Sequence, residues 1–322
     1  MLSAIRYEPG VLYLLDQRAL PAETRWLACT DAAAVADAIR AMVVRGAPAL
    51  SIAAAYGLAL AARSGADLDV AAALLTDARP TAVNLRWAVA RVRSAPDIEA
   101  AAIALHADDV RINRALGAHG APLLDGGVLT VCNTGALATG GHGTALGMVR
   151  SARALGRAVH VWACETRPWL QGARLTTYEC AHDGIPCTLI ADGAAASVLA
   201  SGRVQAVVVG CDRVARNGDF ANKLGTLNLA VLARHYRVPF YVAMPRSSLD
   251  VACADGACIP IEERDPREVA ALDAPIYRSG TVSAWNPAFD VTPAELVTAW
   301  VSERGVEQAP FDREGGPDTV GS

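Results

Sequence analysis

From residue 128 onward, short apolar runs alternate with stretches of helical spacing. The runs lie at 128–131, 158–163, 187–191, 204–210 and 238–243, and a sixth is expected near 275–277. Each is too short for a buried helix and is bounded by Gly, Pro or polar residues, as buried strands are. Parallel neighbours in a sheet can be joined only by a crossover of roughly a dozen residues or more, and such crossovers are right-handed. Strand and helix repeating at this spacing therefore predict an α/β chain built on a Rossmann-like parallel sheet.

In an open parallel sheet all the strand carboxyl ends share one edge, where ligands bind. Cys132-Asn133-Thr134-Gly135 follows the first run, Glu165-Thr166-Arg167-Pro168 the second and Asp192-Gly193 the third. Cys211-Asp212 follows the fourth and Pro245-Arg246-Ser247-Ser248 the fifth. These polar groups are expected to converge. The stretch 204–226 carries the densest signal: a Val207-Val208-Val209 strand, Asp212 at its end, a polar Asn217-Gly218-Asp219 loop, and Asn222-Lys223 in the first turn of a helix running from Leu224 to Arg234. It outlines a ligand site, with an ordinary strand-to-helix turn carrying a solvated Asp as the alternative. An Asp at the end of an apolar strand is a candidate for a raised pKa, with the adjacent Arg213 acting against it.

The glycine-rich stretch 132–147 lacks the G-x-G-x-x-G order and has no P-loop lysine, so no NAD or ATP site is read there. Gly140-Gly141-His142-Gly143 marks a backbone that passes close to something at the start of a helix. Cys132 stands just ahead of it, at a strand end near helix N-termini, surroundings that favour a thiolate. The alternative for this residue is a small buried hydrophobe.

Residues 2–29 read as a small β-meander. A helix capped by Asp31 is expected to run to about Val44, and an alanine-rich helix from about Ala49 to Arg63. Between them, Arg45-Gly46-Ala47-Pro48 offers a guanidinium and backbone N–H groups to an anion, or makes a helix–helix turn with a solvated Arg. Arg79-Pro80-Thr81 is expected to open another helix. Residues 97–119 read as a long helix with His106 and His119 on its surface. The Gly- and Pro-rich segment after Gly117 sets a boundary. It divides the chain into a smaller, mainly helical unit with its β-meander (1–120) and a Rossmann-like unit (121–308), the latter closed by a helix from Thr292-Pro293 onward. The tail, 309–322, reads as disordered.

A hydrophobic fraction of 52% against 19% charged residues supplies a large core. The net charge of -4 speaks against a broad nucleic-acid-binding face. It leaves room for a small anion held by a few focused cations. No apolar run reaches membrane-span length and no leader pattern opens the chain, so a soluble, cytoplasmic protein is expected. The eight cysteines include no C-x-x-C pair, which argues against structural zinc or a disulfide framework.

Seven segments carry a family resemblance: RGAPAL (45–50), RPTAVNLRWA (79–88), CNTGALATGGHGTALG (132–147), ETRPWLQGARLTTYE (165–179), GCDRVARNGDFANKLGT (210–226), IPIEERDP (259–266) and NPAFDVTPAELVTAWVSERGV (286–306). Spread over nearly the whole chain and in the family's order, they resemble the methylthioribose-1-phosphate isomerases, aldose–ketose isomerases of methionine salvage. The same fold family includes isomerases of ribose 1,5-bisphosphate and 5-deoxyribose 1-phosphate. It also includes non-catalytic regulatory subunits of a translation-factor exchange complex, which generally lack the paired Cys and Asp present here. The resemblance implies Asp212 as proton donor and Cys132 as the group that stabilises the transition state. It places Arg45, Gly46, Ala47, Arg79, Gln171, Asn222 and Lys223 around a sugar-phosphate substrate. It further implies a homodimer; since the residues offer no metal cluster and no nicotinamide site, no cofactor and no metal are expected. Departures are Leu50-Ser51 where Ile-Gly is usual and His142 where Tyr is usual.

Overall fold

The computed structural model describes residues 2–80, 82–270 and 275–311. The chain opens with β1 (Ile5–Glu8), β2 (Val11–Leu15) and β3 (Trp26–Cys29), an antiparallel sheet in that order, which is the expected meander. The Asp31 carboxylate accepts from Ala34 N–H at 2.8 Å and starts α1 (Ala32–Arg40). This helix ends short of Val44 because Met42 takes a φ of 57° and Val43 N–H turns back to the Ala38 carbonyl at 2.9 Å. Helix α2 (Ala47–Ser64) is buried on nearly every side, as a helix at the centre of a helical layer must be. Its alanines let α1, α3 (Leu68–Asp77), α4 (Val83–Arg93) and α5 (Ile98–Gly120) pack closely around it. Asp67 and Asp97 cap α3 and α5 through bonds to their first-turn N–H groups. Since α4 begins at Val83, Arg79 and Pro80 lie in the connection ahead of it, not in its first turn; Thr81 is outside the described residues.

The second half is the expected alternation. Strand β4 (Gly126–Thr130) leads through the glycine-rich loop to α6 (Ala145–Ala154). Then come β5 (Val159–Cys164), α7 (Thr177–His182), β6 (Cys187–Ile190), α8 (Ala195–Ala200) and β7 (Ala206–Val209). A hairpin, β8 (Arg213–Ala215) and β9 (Phe220–Lys223), precedes α9 (Thr226–Tyr236) and β10 (Phe240–Ala243). The remaining strands are β11 (Leu249–Asp250), β12 (Phe289–Thr292), β13 (Ala299–Ser302) and β14 (Gly305–Glu307). Seven strands form one sheet in the order β14-β13-β10-β7-β4-β5-β6, parallel except for β14. A smaller sheet, β11-β8-β9-β12, stands beside it.

Strands buried on both faces read as continuous apolar runs, and β7 shows why. Val207 and Val209 pack with Leu229, Ala230 and Trp300 on one face, whereas Ala206 and Val208 pack with Leu146 and Val149 of α6 on the other. The strand order reverses between β4 and β7, since β5 and β6 lie to one side and β10 and β13 to the other. That reversal is the switch point at which open α/β sheets leave a crevice.

Three expectations are corrected. Residues 275–278 form a single helical turn, and the sixth parallel strand is β13, laddered to β10 through Thr298 N–H and the Phe240 carbonyl at 2.8 Å. Pro293 opens only a three-residue 3-10 turn, Ala294–Leu296, so the expected helix from Thr292 is not formed there. Phe311, placed in the tail, is buried edge-on against Trp300 with ring centres 5.5 Å apart; residues 312–322 lie outside the described residues.

Candidate active site

Cys132 follows β4 and Asp212 follows β7, so the two stand on either side of the switch point. They share a cavity of about 540 Å³ with the amino terminus of α2. Arg45, Gly46, Ala47, Arg79, Gln171 and Lys223 also line it. Asn222 does not.

Cys132 is 5% exposed and adopts φ 65°, in the left-handed region that side chains other than glycine rarely enter. Such a backbone costs about 1–3 kcal/mol and persists only where its surroundings hold it. Here its N–H donates to Thr166 Oγ1 at 2.8 Å and its carbonyl accepts from Thr176 Oγ1 at 2.6 Å. Arg45 approaches the same turn from the other half of the chain. Its guanidinium donates to the Asn133 carbonyl and Oδ1 at 2.9 and 2.8 Å, and to the Cys132 sulfur at 3.6 Å. Gly46 is required beside it: at φ 98°, an added Cβ would lie 2.5 Å from the Ala138 carbonyl oxygen.

Asp212 is half-buried, with its N–H bonded to the Ala221 carbonyl at 2.9 Å. Burial pushes its carboxyl above the usual carboxylate range; Lys223, Arg45 and Arg79 pull it down, and Glu262 adds to the rise. Arg213, expected to act against that rise, instead turns to Asp250, with Nε at 3.0 Å. Lys223 lies at the end of β9 and not in a helix. Its Nζ donates to the Ala288 carbonyl at 2.8 Å and sits 4.4 Å from the Phe289 ring centre. Burial lowers the Lys223 ammonium, against the Cys132 sulfur and Asp212, which raise it. Asn222 is buried behind it, bonded to Thr226 Oγ1 at 2.9 Å, while that hydroxyl donates to the Lys223 carbonyl at 2.6 Å. Asn222 thus braces the turn that presents Lys223.

Arg79 meets Glu262 at 3.3 Å. Gln171 is buried, and its Oε1 has no hydrogen-bond partner among the described residues. Several N–H groups of the glycine-rich loop are committed within the fold. Gly140 N–H donates to Asp109 Oδ2 at 2.6 Å, and Ala136 and Leu137 N–H to Glu179 at 2.7 and 3.1 Å. His106, read as a surface residue, binds the Gly140 carbonyl through Nε2 at 2.8 Å and the Tyr56 hydroxyl through Nδ1 at 3.0 Å. These bonds pack that part of the loop against α5 and α7.

Sequence reasoning left out Glu262 and the apolar wall made by Leu50, Val83, Trp87 and Ile259. Glu262 lies in the IPIEERDP segment, whose acids offered the signal. The wall's residues lie in the quoted segments 45–50, 79–88 and 259–266, but nothing local to those segments shows that they meet. The cavity thus pairs a cationic, acid-bearing end with apolar lining, a combination suited to a small anion that also carries an apolar group.

A family model described as the initiation factor 2 subunit family matches residues 43–309. A methylthioribose-1-phosphate isomerase of Alcanivorax borkumensis is 53% identical, over 96% of this chain and 94% of that one. The crystal structure of 5-methylthioribose 1-phosphate isomerase from Pyrococcus horikoshii superposes with a TM-score of 0.89 at 42% identity, covering 97% of this chain and 94% of that one. A structure described as translation initiation factor eIF-2B, subunit delta, from A. fulgidus gives 0.86 at 41%, covering 96% and 97%. The chain belongs to the initiation factor 2 subunit family, among its methylthioribose-1-phosphate isomerases.

Proposed function

We propose that the chain is the aldose–ketose isomerase that converts 5-methylthioribose 1-phosphate to 5-methylthioribulose 1-phosphate in methionine salvage. The observation that carries this reading is Cys132 and Asp212 flanking the switch point in one cavity with Arg45, Arg79 and Lys223.

The anomeric oxygen of a sugar 1-phosphate is esterified, so the ring cannot open to a free aldehyde. Protonating the ring oxygen breaks its bond to C1 and leaves a hydroxyl on C4. Hydrogen then passes from C2 to C1, and the C2 hydroxyl loses its proton to become the carbonyl. Protons taken up and released balance, so one acid that is reprotonated each turn suffices. Asp212 suits that role because burial raises its carboxyl and so favours the protonated form. Arg45, Arg79, Lys223 and the first N–H groups of α2 at Gly46 and Ala47 form the phosphate site. Gln171, which lines the cavity, is the partner for a sugar hydroxyl. Cys132, beside the Arg45 guanidinium, stabilises the ring-opened species. Arg45 and Arg79 belong to residues 1–120 and the acid–thiol pair to residues 121–308; we take these as two domains that enclose the substrate and keep water out. The enzyme is taken to act in the cytoplasm as a homodimer, in line with the family resemblance.

Incubating the purified protein with 5-methylthioribose 1-phosphate and following the phosphorus spectrum should show the aldose resonance replaced by that of the ketose. Faster conversion of 5-deoxyribose 1-phosphate or ribose 1,5-bisphosphate would reassign the substrate. Saturable binding of all three without turnover would support a second reading, a non-catalytic sugar-phosphate or nucleotide binder, favoured by the translation-factor description of the A. fulgidus structure.

A further inference from the structure

Beneath Cys132 lies a buried carboxylate that touches nothing in the cavity. Glu179, on α7, has no exposed surface and accepts four hydrogen bonds. They come from Asn133 Nδ2 at 2.7 Å, Ala136 N–H at 2.7 Å, Leu137 N–H at 3.1 Å and the Arg150 guanidinium at 2.6 Å. Arg150 is in turn held by Asp183 and by the His142 carbonyl. The fit depends on Gly135, where an added Cβ would lie 2.1 Å from Glu179 Oε2.

One of those four bonds has a directional effect. A carboxylate only accepts, so it draws the NH₂ side of the Asn133 amide toward itself. The amide oxygen must then face the other way, where it accepts from Arg45 at 2.8 Å. Turned over, the amide would present two N–H donors to a guanidinium that has only donors of its own. The Arg45 guanidinium, held there, places its second nitrogen 3.6 Å from the Cys132 sulfur.

We propose that Glu179 is a positioning residue: by fixing the orientation of the Asn133 amide it sets the Arg45 guanidinium against the Cys132 sulfur. The proposal rests on reading Arg45 and Cys132 as site residues, but its test does not depend on turnover. Alkylation of Cys132 by iodoacetamide, followed at the Cys132 peptide by mass spectrometry, reports the surroundings of the sulfur in the resting protein. Arg45→Met and Glu179→Gln should each slow this alkylation by about threefold or more, the scale of one weak charge-assisted hydrogen bond, and the double variant should be no slower than Arg45→Met alone. On the sugar phosphate, the Glu179→Gln loss in kcat/KM should likewise vanish in the Arg45→Met background.

Losses that multiply in the double variant, or a Glu179→Gln protein with reduced Tm and unchanged alkylation, would make Glu179 a packing residue only and overturn the proposal. If Glu179→Gln does not fold, Asn133→Ala removes the same relay while keeping the Glu179–Arg150 pair. It must reproduce the slow, non-additive alkylation for the proposal to stand. A wild-type protein that leaves the sugar phosphate unchanged would sink the isomerase reading, while the alkylation cycle would still decide the role of Glu179.

Discussion

Arg79 and Glu262 face each other in the cavity, guanidinium to carboxylate at 3.3 Å, with both side chains about four-fifths withdrawn from water. Glu262 also meets Arg264 at 3.3 Å. A phosphate that binds Arg79 therefore meets a carboxylate already there. Glu262→Gln should strengthen competitive inhibition by inorganic phosphate several-fold, and Arg79→Ala should weaken it by about tenfold or more, the scale of a partly desolvated charge pair. Inhibition constants measured at fixed salt check both. Equal constants for Glu262→Gln and the wild type would place the phosphate away from Arg79.

Cys132 sits in a conformation that glycine tolerates better than any side chain does. Cys132→Ala and Cys132→Gly should both lower kcat by at least about a hundredfold. The glycine variant should be the more stable of the two by up to about 1 kcal/mol, because φ 65° then carries no Cβ penalty. Urea unfolding alongside steady-state kinetics separates the effects. Near-normal activity in either folded variant would return Cys132 to a packing role.

Asp212→Asn should bind substrate with near wild-type affinity and lose turnover. In the wild type, kcat/KM should fall on the alkaline side as Asp212 gives up its proton. The cation of Lys223 lowers this carboxyl and Glu262 raises it. The alkaline limb should therefore move to higher pH in Lys223→Met and to lower pH in Glu262→Gln. A limb that stays in place in both variants assigns it to another group.

Asp109, which holds Gly140, has its carboxyl raised by burial to about 6 from 3.8. The native state thus keeps a proton that the unfolded chain releases, and stability falls as pH rises through that window. Asp109→Asn should remove the fall. Its stability relative to the wild type should rise by at most about 3 kcal/mol between pH 4 and pH 7, each pKa unit being worth about 1.4 kcal/mol. Denaturant unfolding at a series of pH values measures it. A parallel pair of curves would mean that Asp109 is ionised throughout.

The parallel sheet was legible because apolar runs of strand length separated by helical stretches leave few other ways to bury both faces. Once the sheet is parallel, Cys132 and Asp212 must reach the same edge, so their convergence follows from local pattern. So does the cap at Asp31, whose carboxylate bonds an N–H group three residues on. What local pattern cannot carry is any partner distant along the chain. Arg79 meets a carboxylate 183 positions away, and Arg45 reaches Asn133 across 88. Ala299–Ser302 reads as part of a helix until its ladder to β10 decides otherwise. Lys223 is drawn onto a strand by pairing with Phe289 of β12. The glycine-rich loop is composed like an anion site. Three of its N–H groups are nevertheless taken up by Glu179 and Asp109, from helices remote in sequence. Backbone donors go to whichever acceptor the fold brings near, and only the tertiary structure determines which one that is.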